Sequence, residues 1–313
     1  MLAQPALEPD KSVINGRPRD VGAIAYIDGL LRRARPEIIV IGNSTAETDI
    51  SLEQLGAELD VDPERIVTIA LPNSIASHWY AILDHRVFQQ GVHVPLVLVV
   101  SPVPGLLAVE PYTESSRNDL LVHLKEREPV LDQFVHRYPR IIEHLRQRRL
   151  AFRKRFLDNV RDDSASLLFD LDMDEVAQRV FHFNRLGGVE VDGEHDVNTA
   201  AVSLVVPRPK RGLLIPLMNL AKAYGTRIAF VCPPEAPGQF NARELQVPDD
   251  VVGKVASMVR DGGHTWIDLS REPLPTRWFD NARHLSREGA KHVTSRAGPE
   301  LRRAVQAGPP PLP

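Results

Sequence analysis

The sequence predicts a doubly wound α/β/α sandwich built on a five-stranded parallel sheet, with a helical insertion. Two observations carry that prediction. Five short apolar runs recur along the chain, and segments with apolar residues at helical spacing lie between them. A third observation, the loss of this rhythm over about 113–210, sets the insertion apart.

The apolar runs are 37–41, 65–70, 95–101, 227–232 and 265–269. Each is rich in β-branched residues, is bounded by turn or polar residues, and lacks clean alternation. Strands covered on both faces have that composition. The first helical pattern is 20–34, with Ile24, Ile27, Leu30 and Leu31 on one side. The others are 51–59, 75–90, 212–224, 240–260 and 286–306. Alternating strands and helices imply right-handed crossovers that place helices on both sheet faces. Residues 116–160 read as long helical material broken at Pro139. Residues 172–186 read as another helix, and 187–210 as loop. The resulting organisation is an N-terminal extension (1–19), a first core part (20–112), the insertion (113–210), a second core part (211–306) and a Pro-rich tail (307–313).

The chain of 313 residues is 43% hydrophobic and 25% charged, which excludes wholesale disorder. A single cysteine, Cys232, excludes an intrachain disulfide. It ends a strand and reads as a buried thiol rather than a nucleophile. No signal peptide or apolar run long enough to span a bilayer is visible, so the expectation is a cytoplasmic chain without a membrane span. A net charge of −3 gives no global drive toward nucleic acid, and no nucleic-acid partner is expected. Segment 137–161 carries nine Arg/Lys against two acidic residues and reads as a solvated helix face. None of the eleven histidines forms a His-X-His or His-Glu-X-X-His pattern, so neither a catalytic metal nor a cofactor is expected.

Two fragments carry candidate chemistry. In Val40-Ile41-Gly42-Asn43-Ser44, an apolar strand ends in a glycine that permits a tight turn. Ser44 then stands beyond the carboxyl end of the strand, where open parallel sheets bind ligands. Its hydroxyl is a candidate nucleophile, and its N–H a candidate oxyanion donor. In the second fragment, 278–293, His284 lies between the last strand and the last helix. Asp280 shortly precedes it, and Ser286 is placed to cap the helix. A serine nucleophile needs a histidine base, and that base needs a partner on its other nitrogen. His78 and Trp79, after the second strand, read equally as pocket lining or as core.

Together these fragments resemble the SGNH (GDSL-type) hydrolase superfamily. The resemblance rests on Ile39-Val-Ile-Gly-Asn-Ser44 and His284-Leu-Ser-Arg-Glu-Gly-Ala290. It is nearest to the bacterial branch related to polysaccharide O-acetylation proteins, and covers about 36–110 and 211–306. It implies the flavodoxin-like SGNH hydrolase fold and a serine-dependent acyl-ester hydrolase acting through Ser44, His284 and Asp280. Water as acceptor gives an esterase; a sugar or glycan hydroxyl gives an O-acyltransferase. The implied partner is a small-molecule or glycan ester. The family's oxyanion donors come from loops after the second and third strands. Asn73 or Ser74 fills the first place, and Ser101 or Gly105 is a poor substitute in the second. Asn43 stands where the family has a structural Asp. The Asp280-to-His284 spacing is one residue longer than usual, which leaves Asn281 as the alternative partner of His284. Two rival readings are a catalytically silent SGNH-like binding module and a nucleotide or phosphate binder using the loop 42–45.

Overall fold

A computed structural model describes residues 18–108, 114–135, 212–236, 247, 249–281 and 284–310. Five strands form one all-parallel sheet in the order β2-β1-β3-β4-β5: β1 Ile38–Gly42, β2 Ile66–Ala70, β3 Leu96–Val100, β4 Arg227–Cys232 and β5 Thr265–Asp268. β1 lies between β2 and β3, with Ile38 in register with both Ile66 and Leu96. This is a flavodoxin-like doubly wound α/β fold.

All five strands coincide with the apolar runs. β1 and β3 are buried at every position, which explains why their sequences do not alternate. Period-two geometry still divides their side chains between two cores. Ile39, Ile41, Val97, Val99, Ile228 and Phe230 enter one, and Ile38, Val40, Leu96, Leu98, Ala229 and Val231 the other. Helices α1 (Pro18–Ala34), α4 (Ala76–Ile82), α8 (Leu214–Ala223) and α9 (Asp249–Asp261) cover the first core. Helices α3 (Leu52–Leu59) and α10 (Arg287–Gln306) cover the second, through Leu55, Ala297, Leu301 and Ala304. Removing a buried leucine such as Leu55 or Leu301 would cost roughly 2–5 kcal/mol.

Three short helices follow the remaining junctions: α2 (Ser44–Thr48), α5 (Val103–Leu107) and, after residues 109–113, α6 (Glu114–His123). A further helix, α7 (Pro129–Phe134), comes next. The expected long helix from 116 is therefore broken well before Pro139. Pro129 disfavours helical backbone at Glu128, which instead caps α7 by accepting the Val130 N–H at 2.9 Å. Leu120, Leu124, Leu131 and Val135 belong to the first core, so the start of the expected insertion is part of the sandwich.

The chain divides into one unit of 1–5 and 136–200 and another of 6–135 and 201–313, and every described residue lies in the second. The helix expected at 172–186, the basic segment 137–161 and the loop 187–210 fall outside the described residues, as do 1–17 and 311–313. Among the described residues, no helix is long and apolar enough to cross a membrane.

Candidate active site

Gly42 ends β1 in contact with the neighbouring strand. A Cβ there would run into the Val100 carbonyl and the Ala46 side chain, so the chain can turn at this point only as glycine. Asn43 then caps α2. Its Oδ1 accepts the Thr45 N–H at 3.0 Å and the Thr45 hydroxyl at 2.7 Å. The Asn43 amide therefore serves as the helix cap. Ser44 is the first helical residue, where an N–H has no carbonyl partner within the helix.

β5 lies three strands from β1, roughly 14 Å at the usual strand spacing. The segment after β5 must therefore return across the carboxyl edge of the sheet. A 3₁₀ turn at Thr276–Trp278 and an antiparallel bridge between Phe279 and Leu285 close it into a narrow loop. The Asp280 N–H donates to the His284 carbonyl at 2.9 Å, and the Ser286 N–H to the Trp278 carbonyl at 2.8 Å. Ser286 caps α10 by accepting the Gly289 N–H, as expected. A side chain at Gly289 would strike the Trp278 carbonyl, so helix and loop fit closely.

The loop brings His284 Nε2 to 2.8 Å from Ser44 Oγ, across 240 residues of sequence. Both residues are half-buried. The partner of His284 departs from the preferred expectation. Asn281, not Asp280, meets Nδ1, with its Nδ2 at 3.1 Å. Asn281 Oδ1 accepts the His284 main-chain N–H at 3.0 Å. Asp280 meets His284 through the main chain, and its residue is exposed. Because Oδ1 is fixed on a main-chain donor, the amide turns its NH₂ toward Nδ1. Nδ1 then accepts, and a neutral imidazole carries its proton on Nε2, facing the serine oxygen.

Ser74 is not arranged as an oxyanion donor. Its N–H donates to the Leu71 carbonyl and its hydroxyl to the Gly42 carbonyl, both at 3.0 Å. The same oxygen accepts the Trp79 indole N–H at 2.7 Å. Ser74 therefore braces the end of β1. Asn73 is an exposed residue in left-handed backbone on the adjacent loop, with φ of 60°. The Ser101 and Gly105 N–H groups donate to the carbonyls of Val231 and Pro102. Trp79 and His78 belong to the interior, with His78 Nε2 at 2.7 Å from the Ser116 carbonyl. Burial lowers the His78 pKa to about 4. Cys232 is fully buried and its thiol is pushed up well above the usual range by burial.

Asp49 escaped the sequence reading. It follows α2, is fully buried, and accepts the Leu285 N–H at 2.9 Å and the Thr48 hydroxyl at 2.8 Å on Oδ1. It joins the serine helix directly to the histidine loop. Burial raises its carboxyl pKa to about 7, against the opposing pull of the Leu285 and Thr48 hydrogen bonds. The only sequence signal was an acid in the first βα turn, a common solvated feature.

A cavity of about 710 Å³ opens elsewhere, along the β5 edge between α9 and α10, lined in part by Val252, Trp266, Asp268 and Arg296. It includes neither Ser44 nor His284. No protein-family model and no curated protein matches this chain.

Proposed function

We propose that this chain is a serine-dependent acyl-ester hydrolase of the SGNH type. The observation that carries the reading is the 2.8 Å contact between Ser44 Oγ and His284 Nε2 at the carboxyl edge of a parallel sheet. In the reaction, Ser44 Oγ bonds to the ester carbonyl carbon while His284 takes its proton. In this reading the Ser44 N–H, with a donor from Asn73 on the adjacent loop, stabilises the developing oxyanion. His284 returns the proton to the departing alkoxide, leaving an acyl-serine. Water then releases the acid; a sugar or glycan hydroxyl in its place makes the same site an O-acyltransferase. Either acceptor attacks the acyl-serine through the same base.

A fluorophosphonate probe on the full chain tests this. Labelling at Ser44 that disappears in Ser44→Ala and falls sharply in His284→Ala is expected. Because such residues act as a unit, and the neutral Asn281 partner already forfeits most of their joint effect, Ser44→Ala should also lower turnover of a short aryl ester by roughly 100-fold. An unlabelled Ser44 in a folded chain removes the hydrolase reading.

One observation favours a second reading, the catalytically silent SGNH-like module. The Asn281 amide favours the imidazole tautomer that donates to Ser44 rather than accepting from it. Replacing the carboxylate by an amide in a serine triad costs about 10⁴-fold for this reason. The hydrolase reading accordingly expects a slow enzyme. The nucleotide- or phosphate-binding reading gives His284 no part, and the Ser44–His284 contact weighs against it.

A further inference from the structure

A second cluster of chemistry-bearing residues lies away from the Ser44–His284 pair. α4 continues into a π-helical turn, Leu83–Val87, an uncommon geometry that recurs at functional sites. Within that turn, Asp84, His85 and Arg86 are buried between Leu83 and Val87. Glu128, the N-terminal cap of α7, faces them. Its Oε1 is held by the Val130 N–H, while Oε2 lies 3.6 Å from His85 Nε2. Asp84 Oδ2 stands 3.9 Å from the same nitrogen, and its Oδ1 accepts from Gln89 Nε2 at 3.3 Å.

All three residues are buried, and His85 is completely so. Neither ring nitrogen of His85 has a hydrogen-bond partner. A buried imidazole without partners is costly, and Nε2 is aimed between two carboxylates. The one candidate ligand atom of each residue lies within 4.8 Å of the others. Bonds of about 2.0–2.2 Å to one ion hold ligand atoms roughly 3.3–3.8 Å apart. The observed separations need only a small contraction.

The charges point the same way. Arg86, the adjacent cation, is directed elsewhere, to the Val122 carbonyl at 2.9 Å, the His123 carbonyl at 3.2 Å and Asp28 at 3.9 Å. Asp84 and Glu128 are neighbouring buried carboxylates. A divalent ion between them cancels both negative charges and gives His85 Nε2 a partner.

We propose that Asp84, His85 and Glu128 form a buried site for a divalent first-row metal ion of the zinc type. One imidazole with two carboxylates suits such ions better than calcium or magnesium, which favour oxygen-only shells. The site pins α7 to the end of α4. Its role is to hold that corner of the sandwich, and it takes no part in chemistry at Ser44.

The test uses the untagged full chain, stripped with a chelator and titrated with zinc chloride by calorimetry. One equivalent should bind, with proton release and a higher melting temperature. Glu128→Gln keeps the cap oxygen and should weaken zinc by about 100-fold or more, beyond the 10–100-fold typical of losing an outer-shell partner. His85→Gln should do the same, and Ser44→Ala should leave zinc affinity unchanged. No zinc uptake by the folded chain overturns the proposal. So does uptake that Glu128→Gln leaves untouched, which would mark a surface histidine site. A Glu128→Gln chain that gains stability without any zinc dependence in the parent would mark a proton-sharing acid pair instead. None of these outcomes depends on whether Ser44 is a nucleophile.

Discussion

Asn281 grips His284 twice, with its amide NH₂ at 3.1 Å from Nδ1 and its carbonyl oxygen on the main-chain N–H at 3.0 Å. The second bond decides the first. It fixes which end of the amide faces the ring, and so which ring nitrogen holds the proton.

Asn281→Asp should therefore raise turnover of a short aryl ester at least tenfold. A carboxylate accepts from Nδ1–H, frees Nε2 to take the serine proton and stabilises the imidazolium. The acid limb of the rate profile should move to higher pH, since a nearby negative charge favours charged imidazole. Asp280→Asn should change the rate little. A large loss in Asp280→Asn, with no gain in Asn281→Asp, would restore Asp280 as the partner of His284.

Gly42→Ala should be damaging out of proportion to its size. The added methyl meets the Val100 carbonyl and Ala46, so β1 or β3 must shift. Overpacking of this kind costs about 1–3 kcal/mol. Thermal unfolding should report that loss, and probe labelling of Ser44 should slow at temperatures where the variant remains folded.

Asp49 sets a pH dependence of stability. Burial pushes its carboxyl up from the ordinary value of 3.8 to about 7 in the folded chain. Between those values the folded state holds the proton more tightly, so stability contributed by this group is full below about pH 4. It declines as pH rises and is gone above about pH 7. The change amounts to on the order of 4 kcal/mol. Asp49→Asn removes the titration, so its denaturant midpoint should vary less between pH 4 and 8 than that of the parent chain. Equal slopes in both would place the titrating group elsewhere.

His264 and His284 should separate structure from chemistry. His264 precedes β5 at the amino edge of the sheet, is buried, and is held near pKa about 4 chiefly by burial. Its Nδ1 accepts the Ile228 N–H and its Nε2 meets the Met218 carbonyl, both at 3.1 Å. His264→Ala should lower stability by about 1–3 kcal/mol through those lost bonds, and leave labelling of folded protein nearly unchanged. His284→Ala should do the reverse.

The strands were legible because a strand buried on both faces must be apolar throughout, as in β1 and β3. The turn at Gly42 and the cap at Ser286 were legible because their chemistry is local. The partner of His284 was not. The Phe279–Leu285 bridge pairs the Asp280 main chain with the His284 carbonyl and turns position 281 toward the ring. That choice depends on loop closure rather than on residue type. Asp49 was hidden because it matters only through Leu285, 236 residues away. Asp84, His85 and Glu128 were hidden because a π-helical turn and a helix cap converge on them, and no spacing rule records that convergence.

The 240 residues between Ser44 and His284 also fix when the pair exists. At ribosomal speeds of about 5–20 residues per second, the serine emerges roughly 12–48 s before its histidine. Throughout that interval the nascent chain carries the Ser44 hydroxyl without the imidazole that later stands beside it. A translation product that ends between residues 269 and 283 contains the sequence of every strand of the sheet and still lacks the pair. The pair therefore forms only after β5 has been made, when the loop behind it docks over the first βα turn.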